Sequence, residues 1–456
     1  MQKRQGSILI KDGLIVTMDP ARRIFHGNLY IEDGLIREVG SERNAADKVI
    51  DARRSIVMPG FIQTHIHLCQ VLFRGLADDV DVVDWLKLRI WPLESAHDEA
   101  SISASARLGI AELIAGGTTT ALSMETARYT DSVFSTAEES GFRLFAGNAM
   151  MDVVEPGTMM RGLDTQQSFA ESKRLYYDWH GKGNGRIRYA IMPRGARNCS
   201  PELVALSAQF ARDNGLIFHT HVSENGPLSQ RLKNETGVGD IELLLSQGVA
   251  NERLVVAHAI WLNDNEIGIV KENRIKIAHC PSANMKLSSG FCKVPEMRAL
   301  GIDISLGADG APCNNNLDML NEMRLAGLIH KPRCGPTAMK AAEVLEMATI
   351  GGAKCLGIDN ETGSLEAGKK ADVILLNRDE PHCSPCAGVP VESQIVYSLT
   401  GSDVDTTIID GVVLYENKRF TQLDIKRVLS DAEEQSQKVL GRVAFGGEMT
   451  SKTAYK

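Results

Sequence analysis

No run of residues in this 456-residue chain approaches the ~20 uncharged apolar residues that a membrane-spanning helix requires, which predicts a protein that does not cross a bilayer. Positive charge is in deficit too. The 58 acidic residues outnumber the 50 basic ones and leave a formal net charge of −8, which disfavours a nucleic-acid backbone as the main partner. Nine cysteines, an odd count, are scattered along the chain and read as reduced thiols of the cytoplasm rather than as a disulfide framework. The opening MQKRQGSILIKDG has a basic tip, but charge returns after four apolar residues, so it does not read as a secretory signal. There is no solenoid repeat and no low-complexity tract. What is present, 43% apolar and 24% charged residues, is ample for a buried core. The length allows two to four domains, or one large barrel with an appendage.

Two textures divide the chain. Residues 6–58 alternate short β-type runs with turns, as in SILIKDGLIVTM, NLYIEDGLIREVG and KVIDARRSIVMPG. Asp-Gly and similar punctuation between branched apolar residues marks hairpins. From about Pro59, amphipathic helical stretches lead into short apolar runs. ASARLGIAELIAGG precedes TTTALS, LVALSAQFARDNG precedes LIFHTHVSE, and GDIELLLSQGVANE precedes RLVVAHAI. Then DNEIGIVKENR precedes IKIAHCP, and VPEMRALG precedes IDISLGADG. Repeated helix-then-strand units predict a parallel sheet wound by helices, and over ~250–300 residues a closed (β/α)₈ barrel is the economical form. β texture returns after about Leu365, before an amphipathic helix at IKRVLSDAEEQSQKVLG and a loose tail. The expected α/β fold is therefore a TIM-like barrel over residues 59–365. Residues 1–58 and 366–456 would supply a small β-sandwich, the latter also carrying the helix and tail.

The histidines carry the chemical signal. His65, His67, His219, His221, His258 and His279 fall at or near the ends of apolar runs, and Asp309 ends another. In a parallel barrel the C-terminal strand ends share one rim, so residues distant in sequence converge there. His65 and His67 project from the same side of a strand. Joined by a third imidazole and a carboxylate, they suit one divalent ion, Zn²⁺ ahead of Fe²⁺. Taken alone, the pair is equally two hydrogen-bonded histidines at a strand end. Glu224 lies three residues after His221, placed to move protons without binding the ion; without those histidines it would read as a solvated loop residue. Asp309 can bind an ion or accept a water proton, or simply cap a turn.

The stretches PGFIQTHIH, HTHVSE, VVAHAIWL, AHCPSANMKL and GADGAPCNNNLDM, with GSLEAGKKADVILL near the end, resemble the amidohydrolase superfamily over nearly the whole chain. Within it the chain is most similar to the branch of S-adenosylhomocysteine/methylthioadenosine and 5′-deoxyadenosine deaminases, with guanine deaminases and s-triazine hydrolases as neighbours. The resemblance implies His65, His67, His221 and Asp309 as metal ligands and Glu224, His258 and Asp309 as catalytic groups, with His279 left outside the ligand set. No lysine stands near YAIMPR to bridge two ions, which favours a single metal. The implied reaction is attack of metal-activated water at C6 of an adenine ring, with loss of ammonia. Alternatives are guanine or another amino-heterocycle, a triazine included, as substrate, or an inactive binding protein with the same fold. Relatives of this kind imply a dimer or tetramer in the cytoplasm.

Substrate contacts follow by position. Trp85 and Glu94 match the residues that embrace the nucleoside, Glu94 by accepting from both ribose hydroxyls; core packing is the plain reading of Trp85. Where the homocysteine-type group has an arginine after its third strand, this chain has Asn148. Where that group has a histidine, this chain has Arg194, and Arg161 is expected to replace part of the missing positive charge. Glu224 and His258 also face the substrate in this scheme, and smaller 5′-modified adenosines become attractive. Cys383 and Cys386 form a Cys-x-x-Cys pair without a second pair at finger spacing, so they read as part of a surface loop.

Overall fold

The computed structural model describes residues 6–153 and 163–443. In chain order its first strands are β1 (Ser7–Val16), β2 (Ile24–Glu32), β3 (Leu35–Val39), β4 (Lys48–Asp51), β5 (Ser55–Pro59), β6 (Phe61–His67), β7 (Thr118–Glu125) and β8 (Arg143–Met150). There follow β9 (Ile187–Tyr189), β10 (Met192–Pro193), β11 (Phe218–Val222), β12 (Leu254–His258), β13 (Lys276–His279), β14 (Ile304–Leu306) and β15 (Asp309–Gly310). The last are β16 (Val373–Asn377), β17 (Val404–Ile409), β18 (Val412–Glu416) and β19 (Arg419–Phe420). The architecture is mixed α/β.

Both ends of the chain contribute to one nine-stranded sheet, ordered β19-β18-β17-β16-β5-β1-β2-β3 with β4 on β1. They meet where β16 runs antiparallel to β5, Val373 opposite Pro59 and Asn377 opposite Ser55. Val57, Val373 and Leu375 turn into one core with Ile10, Leu29 and Ile31. The alternate residues Ile56, Met58, Ile374 and Leu376 turn into the main core instead. Burial on both faces is why these strands read as unbroken apolar runs.

The strands from β6 to β15 are parallel. Pairings run β6–β7–β8, then β8 with β9 and β10, and separately β11–β12–β13–β14. Isolated bridges Ile191–Phe218 and Gly195–His221 join the two groups, and β15, which follows β14 along the backbone, pairs with β6, so the parallel circuit leads back to its first strand. Helices Glu99–Ala115, Thr130–Ser140, Thr165–Trp179, Pro201–Asn214, Asp240–Ser246, Asp264–Glu272 and Val294–Ala299 alternate with these strands. Side-chain caps such as Asp98, Ser200 and Asn263 begin the helices, and Gly141 and Gly215 end theirs in the left-handed region. Gly307 lets the last passage lie against the first, because a Cβ there would stand 2.5 Å from the His65 carbonyl oxygen.

A buried ion pair fastens the terminal sheet to the circuit: Arg143 Nε and Nη2 lie 2.7 and 3.0 Å from the Asp372 carboxylate. The C-terminal helix Ile425–Arg442 buries Val428, Ala432 and Val439, the last two packed with Leu72, Phe73 and Leu93 behind the end of β6. Among the described residues no helix is long and apolar enough to cross a membrane.

Candidate metal centre and substrate cleft

Four imidazoles meet at the C-terminal ends of the parallel strands, and hydrogen bonds fix which nitrogen of each is free. A carbonyl oxygen can only accept, so His219, whose Nδ1 lies 2.8 Å from Val255 O, carries its proton there. Its Nε2 therefore accepts from His65 Nδ1, 2.8 Å away, which leaves the His65 Nε2 lone pair exposed to the site. The same rule places the proton of His67 on Nδ1, 2.7 Å from Met124 O, and that of His221 on Nδ1, 2.7 Å from Arg194 O. His258 Nδ1 donates to Asn284 Oδ1 at 2.9 Å. His65, His67, His221 and His258 thus keep Nε2 lone pairs.

Asp309 closes this set. Its Oδ1 lies 3.3 Å from His65 Nε2 and 3.2 Å from His67 Nε2, and its Oδ2 lies 3.8 Å from His258 Nε2. Candidate ligand atoms of His65, His221 and His258, and of His65, His67 and Asp309, lie within 4.8 Å of one another. Imidazole nitrogens and a carboxylate facing one point call for a cation. His65 Nε2, fully buried, has no hydrogen-bond partner within the chain. Imidazole and carboxylate donors suit zinc and its neighbours, and each ring is held from behind as metal-ligating histidines are.

Electrostatics agree. Burial pushes His65 down to about 4 and His219 and His221 well below the usual histidine range, which keeps them neutral. Burial works against the charged forms of both His67 and Asp309, but their mutual attraction outweighs it, raising His67 above its ordinary range and, with His65, holding Asp309 well below its own, as a site that draws positive charge does. Glu224 follows the strand end by two residues; its Oε2 is 3.9 Å from His258 Nε2, and burial raises its carboxyl above the ordinary range. Ser223, His258 and Asp309 all adopt left-handed backbone, with φ of 46°, 70° and 61°. Such conformations cost energy in non-glycine residues and persist where the surroundings impose them, commonly at functional sites.

These groups form the floor of a cleft of about 120 Å³, walled by Trp85, Trp91, Gln70 and Arg194. Glu94 stands behind that wall. Its oxygens accept from Arg194 Nη1 at 2.7 Å, Arg194 Nη2 at 3.2 Å and Gln70 Nε2 at 2.8 Å, so Arg194 and Gln70 are the groups that line the cleft. Asn148 turns away from the cleft and accepts from the Tyr189 hydroxyl. Arg161 lies outside the described residues. His279 ends its strand but joins His330 instead of the cluster, their ring centroids 5.5 Å apart. Gln70, Trp91 and Asn284 were not singled out from the sequence. Gln70 and Asn284 do sit in the short helices that follow His67 and His279, Leu68–Phe73 and Pro281–Lys286, where such signals can be sought.

A family model described as the amidohydrolase family matches residues 56–414. The chain is 38% identical over 443 residues to the 5′-deoxyadenosine deaminase of Methanosarcina mazei, spanning 96% of this chain and 99% of that one. It is 37% identical over 421 residues to the 5-methylthioadenosine/S-adenosylhomocysteine deaminase of Syntrophomonas wolfei, spanning 91% and 95%. Among solved structures it superposes on an adenosine deaminase from Xanthomonas campestris with bound zinc, at a TM-score of 0.89 and 26% identity, covering 95% of this chain and 98% of the other.

Proposed function

The chain belongs to the amidohydrolase family, and from that premise we propose that it deaminates adenosine-type nucleosides to the inosine-type product and ammonia. Its class is that of hydrolases acting on carbon–nitrogen bonds of cyclic amidines. The observation that carries the reading is the convergence of histidine lone pairs and Asp309 beneath a cleft that also holds Glu224. His65, His67, His221 and Asp309 would hold one divalent ion, zinc by preference. The parallel circuit is taken as a (β/α)₈ barrel and the terminal sheet as folded into a sandwich beside it.

A bound divalent ion supplies Lewis-acid activation, lowering the pKa of a water at the site from ~15.7 toward ~7. Asp309 and His258 Nε2, 3.8 Å apart, take and orient the proton which that water releases. The Glu224 carboxyl, which burial shifts toward its protonated form, would donate to ring N1 and make C6 electrophilic. Water oxygen would add to C6; Asp309 and His258 would return the proton to the exocyclic nitrogen, which departs as ammonia while the new hydroxyl gives its proton to the Glu224 carboxylate and becomes the C6 carbonyl. Trp85 and the Glu94-supported Arg194 and Gln70 orient the nucleoside along the wall.

Charge in the cleft favours small 5′ groups. Among the described residues its two lining arginines both face carboxylates, Arg194 with Glu94 and Arg197 3.7 Å from Glu235. Neither is left free for the carboxylate of a homocysteine adduct, which supports 5′-deoxyadenosine and methylthioadenosine as the better substrates. Initial rates of ammonia release by zinc-loaded protein should rank these two above S-adenosylhomocysteine. Turnover of guanine alone, or of none of the set, overturns the reading.

A further inference from the structure

The connection between β16 and β17 holds metal-type donors that the reaction above does not use. Its first turn, Pro381–Cys383, presents His382 and Cys383, with Cys386 three residues on. The spacing alone offers two thiols and no complement. The fold brings that complement from the far end of the same connection: Asp403, closing the turn Gly401–Asp403, lies with Oδ2 2.9 Å from His382 Nε2. Donor atoms of His382, Cys383 and Asp403 all fall within 4.8 Å of one another.

Two further contacts bear on what this cluster binds. Cys386 Sγ stands 3.1 Å from the Cys383 carbonyl oxygen, so the second thiol belongs to the same turn. Gln394, itself buried, places Nε2 2.8 Å from that carbonyl and 3.2 Å from Cys386 Sγ. An amide N–H directed at sulfur stabilises the thiolate form, the role that outer hydrogen bonds play around metal-bound cysteine. Thr400 N and Oγ1 hold the Asp403 carboxylate in place at 2.8 and 3.0 Å. Cys383 and Asp403 are buried, whereas the His382 side chain is 45% exposed, which leaves an entry for an ion.

We propose that His382, Cys383 and Asp403, whose donor atoms converge, form a second metal site of structural zinc type, which Cys386 completes by turning its thiol away from the Cys383 carbonyl. Two sulfurs, one imidazole and one carboxylate make a closed tetrahedral set. The ion would clamp the start of the connection to its end. Between them lies helix Val391–Tyr397, which packs on helices Met319–Ile329 and Ala341–Met347. Binding releases the thiol protons to solvent, so affinity falls at acid pH.

The inference does not depend on the proposed reaction, and its main readout is blind to the cleft. Cobalt(II) loaded into the full-length protein should show thiolate-to-cobalt charge-transfer absorption, which imidazole and carboxylate donors alone do not give. The double variant His382→Ala/Cys386→Ser spares the buried Cys383. It should lose that absorption and one equivalent of bound zinc per chain, while ammonia release stays within about twofold of wild type. Cobalt-loaded wild-type protein without thiolate absorption overturns the proposal. So does a double variant that keeps the full zinc content of wild type.

Discussion

Asn284 lies outside the cleft lining, yet the structure makes it decide how His258 works. Its Oδ1 accepts from His258 Nδ1 at 2.9 Å, both residues are 1% exposed, and the bond is what leaves the Nε2 lone pair facing Asp309 and Glu224. Asn284→Ala strands a buried N–H, which costs ~1–3 kcal/mol. The ring can escape that cost only by moving its proton to Nε2, where it can no longer accept one. At ~1.4 kcal/mol per factor of ten, either outcome lowers kcat by about 10–100-fold. KM and metal content should stay within about twofold of wild type, since Asn284 neither lines the cleft nor belongs to the candidate ligands. Asn284→Asp restores an acceptor and should recover most of the loss. Steady-state ammonia release with metal analysis on the three proteins tests this. Wild-type kcat in Asn284→Ala would refute the reasoning, and so would a loss seen wholly in KM.

Replacing Asp309 by Ala should abolish turnover and weaken metal retention together, as read by ammonia release and elemental analysis; retained activity would contradict its assigned role. Glu94→Ala leaves Arg194, 8% exposed at its side chain, as an unpaired buried cation, so destabilisation of ~3–5 kcal/mol is expected by chemical denaturation, with KM raised. Burial lifts the Glu322 carboxyl to about 7 against hydrogen bonds from Ser282, Asn314 and Asn321. The unfolded chain ionises this group near its ordinary 4.5 while the folded chain keeps the proton, so Glu322 makes stability fall as pH rises between about 4.5 and 7. Denaturation curves of Glu322→Gln should be flatter than those of wild type across that window.

Much of the arrangement was legible because it obeys short periods. Alternation with period two put His65 and His67 on one side of β6, and the same rule made the terminal β runs apolar on both faces. The return of β texture after Leu365 led to a small β-sandwich built from both ends of the chain, and the two ends do supply strands to one sheet. What escaped was pairing over long separations. Glu94 looked like a direct acceptor for ribose because nothing near it in sequence announces Arg194, whose guanidinium takes both its oxygens. Cys383 looked unaccompanied because Asp403 comes near it and His382 only through the fold of a connection. His219, which the sequence shows only as one more histidine near the end of an apolar run, passes the Val255 carbonyl's preference on to His65.

One residue, Gly60, separates β5 from β6, and thereby the terminal sheet from the strand bearing His65 and His67. Its amide is tied to Asp372 O at 3.1 Å, and a Cβ there would meet Thr119 at 2.1 Å, so the joint has neither slack nor room for a larger side chain. The two parts are yoked. A force or partner that shifted the sheet would pull the imidazoles with it, and trimming the chain's first strands would disturb the reaction floor instead of removing a detachable ornament.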